Sequence, residues 1–67
     1  MKVRELIALV ENHGWRQAAT KGSHRQYKHP TKTGRVTIPG HFADEVSPPT
    51  LNSVLKQAGI PKEAVRR

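Results

Sequence analysis

The apolar residues fall into two helix-period stripes at opposite ends of the chain, with little apolar between them. Val3, Leu6, Ile7 and Val10 follow the i, i+3, i+4, i+7 spacing of one helical face, and Leu9 widens it. Leu51, Val54, Leu55 and Ala58 repeat that template towards the other end. A helix with a single apolar stripe must bury it against another element, so the segment between has to supply the cover. That segment offers Val36 and Ile38, two residues apart, and Tyr27 in the run Ser23–His29. A spacing of two belongs to a strand, whose side chains alternate between faces.

The elements follow in order. The first helix is expected over about residues 2–13, with Gly14 as its stop. Trp15–Lys21 shows no clear alternation and holds poor strand formers, so it is a strand by context alone. Lys21-Gly22 marks a tight turn. Ser23–His29 is a strand that ends at Pro30, and Arg35–Pro39 returns beside it across the five-residue loop Pro30–Gly34. Gly40–Pro49 is a loop, with Phe42 and Val46 expected to anchor it to the core. Ser47 or Thr50 caps the second helix, and Pro48 or Pro49 suits an early position. Gly59 closes it, Ile60 packs back on Leu55, and Pro61 blocks continuation. Residues 61–67 are expected to add one further helical turn. The fold class is therefore α+β, in the order α-β-β-β-α, with both helices on one face of a three-stranded antiparallel sheet. With 67 residues the chain reads as a single domain, 1–67, with a small core.

Charge narrows the partners. Lys and Arg number 12 against 5 Asp and Glu, a net charge of +7. The two signs are segregated: after Glu11 no acid occurs until Asp44. Inside that gap lie Arg16, Lys21, Arg25, Lys28, Lys32 and Arg35, with His13, His24, His29 and His41. A patch of one sign on so small a domain points to a polyanion, and nucleic acid is the expected one. A membrane surface is not expected, because no segment is both basic and strongly amphipathic. The apolar run Leu6–Val10 is too short for a signal core or a membrane span. Cysteine is absent, so the chain is expected to be cytoplasmic, and cysteine zinc sites are excluded. The histidines lack metal-ligand spacing, and neither a metal nor a cofactor is expected. Only Trp15, Tyr27 and Phe42 are aromatic, which argues against a base-stacking platform.

Alternation over Ser23–His29 puts Ser23, Arg25, Tyr27 and His29 on one face and His24, Gln26 and Lys28 on the other. Tyr27 is the large apolar body, so its face is expected to turn to the helices. His24, Gln26 and Lys28 then face solvent, joined across the hairpin by Arg35 and Thr37. RNA carries its own nucleophile, the 2′-hydroxyl beside each phosphodiester. Cleaving RNA needs a base for that proton, an acid for the departing 5′ oxygen, and positive charge at the transition state. Histidine suits either proton role near neutrality, and Lys or Arg suits the third. From parity and charge alone, however, a histidine on a basic strand is a solvated side chain, and the cations are general phosphate contacts. His13 fits the end of the first helix, and His29 fits a strand end. His41 is ambiguous, since it lies near His24 only if the chain bends back.

Three runs carry a resemblance: Lys21-Gly22-Ser23-His24-Arg25-Gln26-Tyr27-Lys28-His29-Pro30, Arg35-Val36-Thr37-Ile38-Pro39-Gly40-His41, and Thr50 through Ile60. With Gly14-Trp15 ahead of them, they span about residues 3–61 and resemble the HicA toxin family of type II toxin–antitoxin systems. The resemblance implies a double-stranded-RNA-binding-domain-like fold and an mRNA interferase. It implies His24 of the Gly-Ser-His run as the catalytic residue, which reverses the reading from parity and charge. Lys21, Ser23, Arg25, Lys28 and Arg35 are the expected RNA contacts, and His41 is a candidate auxiliary group. A HicB-type antitoxin with acidic groups is the implied protein partner. The alternative is a non-catalytic RNA-binding module that uses the same basic face. Two stretches depart from the family pattern. Arg16-Gln17-Ala18-Ala19 stands where apolar residues are usual, which predicts a weak first strand. Pro48-Pro49-Thr50 stands where Pro-Gly-Thr is more frequent.

Overall fold

A computed structural model of the chain describes residues 1–65. Its elements are α1 (Val3–Asn12), β1 (Arg16–Lys21), β2 (His24–Lys28), β3 (Val36–Ile38) and α2 (Pro48–Ala58), followed by a 3-10 turn at Lys62–Val65. The strands form one antiparallel sheet in the order β1-β2-β3. The fold is α-β-β-β-α, as the two stripes and the intervening alternation predict.

Each helix has ends written into its sequence. At the start of α1 the Lys2 N–H donates to Glu5 Oε1 at 2.6 Å, which satisfies one orphan donor. At its end His13 Nδ1 donates to the Leu9 carbonyl at 2.9 Å. Arg16 adds a second cap, donating to the Glu11 and Trp15 carbonyls at 3.0 Å each. Ser47 caps α2, its side chain accepting from the Thr50 N–H, and Pro48 and Pro49 fill the first two helical positions. Gly59, at φ 69°, ends α2. Its N–H donates to the Lys56 carbonyl and that of Ile60 to the Leu55 carbonyl, a Schellman motif. Lys32 Nζ, from the loop before β3, donates to the Ala58 carbonyl at 3.2 Å and completes that end.

The core lies between the helices and one sheet face. Val3, Leu6 and Val10 come from α1, Val54, Leu55 and Ala58 from α2, and Tyr27, Val36 and Ile38 from the sheet. Trp15 and Ile60 complete this cluster. Full burial of one such side chain contributes roughly 1.5–3 kcal/mol, so a core of this size leaves little margin. Among the described residues, Trp15 Nε1 is a buried polar side-chain atom with no hydrogen-bond partner.

Four details differ from the sequence-based expectation or extend it. β1 forms although all six of its residues are exposed; pairing to β2 holds it, not burial. The β2–β3 connection runs over residues 29–35, longer than five, because His29 leaves the ladder. Its ring packs edge-on against Trp15 at 5.2 Å, and its Nδ1 accepts the Thr31 and Lys32 N–H groups at 3.1 and 3.2 Å. The proton therefore sits on Nε2, which donates to the His13 carbonyl at 3.0 Å. Phe42 is not a core anchor: it is 56% exposed and lies beneath the Arg25 guanidinium, 4.4 Å from ring centre to Cζ. Val46 is half-buried and does pack on the core. Of the turn expected over 61–67, the first part is the 3-10 turn, and residues 66–67 lie outside the described residues.

Candidate nucleic-acid interface

Lys21 and His24 face each other across a hairpin whose two central residues are Gly22 and Ser23. Gly22 has φ 61°, and among the described residues no non-glycine residue has positive φ. A positive φ at the first central position alone is the pattern of a II′ turn, which matches the twist of the flanking strands. Opposed residues share a face, so Lys21 and His24 project together. Gln26 stands opposite Ala19 and Thr37, and Arg16 opposite Lys28. A register shift between Gln17 and Ala19, a bulge, realigns the far half of β1.

The sheet face away from the core thus carries His24, Lys21, Gln26, Lys28 and Thr37, as alternation predicts. Arg35 joins it by donating to Gln26 Oε1 at 2.9 Å. His24 is exposed, and its ring has no hydrogen-bond partner among the described residues. It lines two hollows at once. One is floored by the sheet, between Ala19, Thr20, Lys21, Gln26 and Thr37. The other lies towards α2, between Thr37, Pro39, Pro49, Thr50 and Ser53. The contribution of α2 to the second hollow is invisible in the sequence, because it depends on how the helix crosses the sheet edge. The Gln57 side chain fixes that crossing by accepting the Thr37 N–H at 3.2 Å.

The cations of the central segment divide into two sets. Arg16, Arg25 and Lys32 are spent on backbone carbonyls. Arg25, expected among the RNA contacts, projects from the opposite face of β2 and donates to the Gly40 carbonyl at 2.7 Å. Lys21 and Lys28 are exposed and make no ion pair among the described residues, and the exposed Arg35 touches only Gln26. Ser23 is half-buried in the turn, and its carbonyl faces Arg25 at 3.4 Å. His41 sits in the loop that Arg25 holds, its N–H donating to Asp44 Oδ2, and it lines neither hollow beside His24. Among the described residues no three His, Asp or Glu side chains are grouped as metal ligands, and no helix is long and apolar enough to cross a membrane.

The chain is thus a small α+β domain with a double-stranded-RNA-binding-domain-like order, one cationic sheet face and an unencumbered histidine on it. Comparison with known families makes this particular. Residues 3–60 match the family described as the HicA toxin of bacterial toxin–antitoxin systems, and the chain belongs to that family. No curated protein matches the sequence.

Proposed function

We propose that this toxin is a metal-independent endoribonuclease that cleaves mRNA on the His24 face of its sheet. The observation that carries the reading is His24 itself: exposed, free of hydrogen bonds among the described residues, set between two hollows, and opposed by Lys21. Family membership supports the same reading.

The chemistry balances without a further reactant. The ribose 2′-oxygen attacks the adjacent phosphorus and gives up its proton. The P–O5′ bond breaks, and the 5′ oxygen takes a proton. The products are a 2′,3′-cyclic phosphate and a 5′-hydroxyl. His24 relays one of these protons, and solvent in the open hollows supplies the other exchange. Lys21 stands where negative charge builds on the phosphoryl oxygens. Lys28 and Arg35 hold the phosphates further along the strand. Arg25 acts indirectly by fixing the Gly40–Phe42 loop behind the sheet. A HicB-type antitoxin neutralises the toxin by covering this face with acidic groups.

Incubation with RNA in excess EDTA tests the proposal. Wild-type protein should yield fragments ending in cyclic phosphate, and His24→Ala should lose about 10²–10⁴ of the rate. A folded His24→Ala protein that cleaves at the wild-type rate would remove the catalytic role. Intact RNA with salt-sensitive binding would leave the non-catalytic RNA-binding module in its place.

A further inference from the structure

Gln26 occupies the same sheet face as His24, two residues along β2, and lines the same hollow. Two residues of strand span roughly 7 Å. That is within the reach of a base from its own phosphate, so a nucleotide whose phosphate lies at His24 can bring its base to Gln26, and in a single strand that base exposes its hydrogen-bonding edge.

The side chain is prepared for reading such an edge. Arg35 can only donate, so the Gln26 atom it contacts at 2.9 Å is the carbonyl Oε1. The amide is thereby locked against flipping, with Nε2 and the second Oε1 lone pair left as a donor and an acceptor in fixed directions. Gln26 is half-buried as a residue, while its bond to Arg35 is exposed, so the amide is open to a docked base. Opposite it stands Ala19, whose methyl leaves the hollow open. No Trp, Tyr or Phe ring is available on this face, since Trp15 and Tyr27 are in the core and Phe42 lies under Arg25, and the one imidazole there, His24, is assigned to the phosphate. A base docked here is held by polar contacts instead of stacking, and polar contacts discriminate where stacking tolerates every base.

We propose that Gln26, oriented by Arg35, is the base-selecting residue of the RNA site and reads the polar edge of the nucleotide beside the phosphate at His24. The inference rests on RNA binding to this face, as in the preceding section, but not on cleavage. Arg35 is a positioning residue in this role.

Binding in the His24→Ala background tests it, because the RNA survives the measurement there. Homopolymeric oligoribonucleotides of about six residues in A, C and U should differ in affinity by about ten-fold. Adding Gln26→Met should collapse that spread to about two-fold while leaving the salt dependence unchanged. Gln26→Glu keeps a partner for Arg35 but presents acceptors only, so it should reorder the three affinities; it also serves if the Met variant melts early. A spread that both variants leave intact, or no spread in the parent, overturns the assignment. Wild-type protein that binds RNA with this spread but never cuts it would sink the nuclease reading and spare this one.

Discussion

Tyr27 decides which way β2 faces, because its ring is buried and the three positions of opposite parity, His24, Gln26 and Lys28, are thereby sent outward. Burial first, and the nearby Glu11 carboxylate second, push its phenol above the ordinary 10.0, with Arg25 pulling the other way. The direction fixes the linkage. As pH rises through 10.0 the unfolded chain loses the phenol proton first, while the native state retains it. The unfolded state then binds fewer protons, so stability is full below that pH and falls above it. The denaturation midpoint of the wild type should therefore drop between about pH 9 and 11, and Tyr27→Phe should flatten the decline. An identical decline in both proteins would show that other groups set the alkaline limit. Trp15 and His24 mark the opposite extremes of mutational cost. Trp15→Ala should destabilise by about 3–5 kcal/mol through the cavity it leaves. Trp15→Phe should cost less, since it also removes the unpaired Nε1 donor. His24→Ala touches no partner and should change stability by no more than about 0.5 kcal/mol. Thermal melts of the three proteins check that order.

The β1–β2 hairpin is where sequence and site meet. A Cβ on Gly22 would touch nothing within 4 Å, so the cost of Gly22→Ala is conformational alone. The strain at positive φ is about 1–2 kcal/mol. The turn should relax to escape it, and Lys21 and His24 should drift out of register. Melting temperature should fall moderately and RNA cleavage more than stability explains; a loss of stability with undiminished cleavage would separate the turn from the site. Most of this hairpin was legible in advance. The outward face follows from one large residue at Tyr27, and both helix ends follow from Ser47, Gly14, Gly59 and Pro61. The bulge in β1 was not legible, because the pair Ala18-Ala19 gives alternation nothing to register against. The length of the β2–β3 connection escapes the local pattern for a related reason. His29 looks like one more strand residue, and only contact with Trp15 and three backbone groups reveals that it organises the loop. Phe42 was expected to bury itself, but a guanidinium from β2 covers one face of its ring and leaves the rest in solvent. Such choices depend on partners distant in the chain, which no local pattern encodes.

For the molecule as a whole, a net charge of +7 overstates what faces a ligand. Arg16 and Lys32 complete the C-terminal ends of the two helices, and Arg25 holds the loop after β3. Lys2 and the terminal amine both pair with Glu45. What remains on the His24 face, among the described residues, is Lys21, Lys28 and Arg35. This partition has a measurable consequence. Each phosphate neutralised on a single strand contributes about −0.7 to the slope of log K against log salt. Three such contacts predict a slope of about −2, whereas engagement of every cation in the central segment would give about −4. Lys28→Gln should reduce the slope by about 0.7 and weaken all sequences alike. Arg25→Gln should leave the slope nearly unchanged yet lower the melting temperature, because it unties Gly40 and uncovers Phe42. Titrations of the His24→Ala protein at several salt concentrations check both. A steep slope that Arg25→Gln reduces as much as Lys28→Gln would mean that RNA wraps around the edge of the sheet onto the Arg25 side. The hollow beside His24 would then be one station on a longer path.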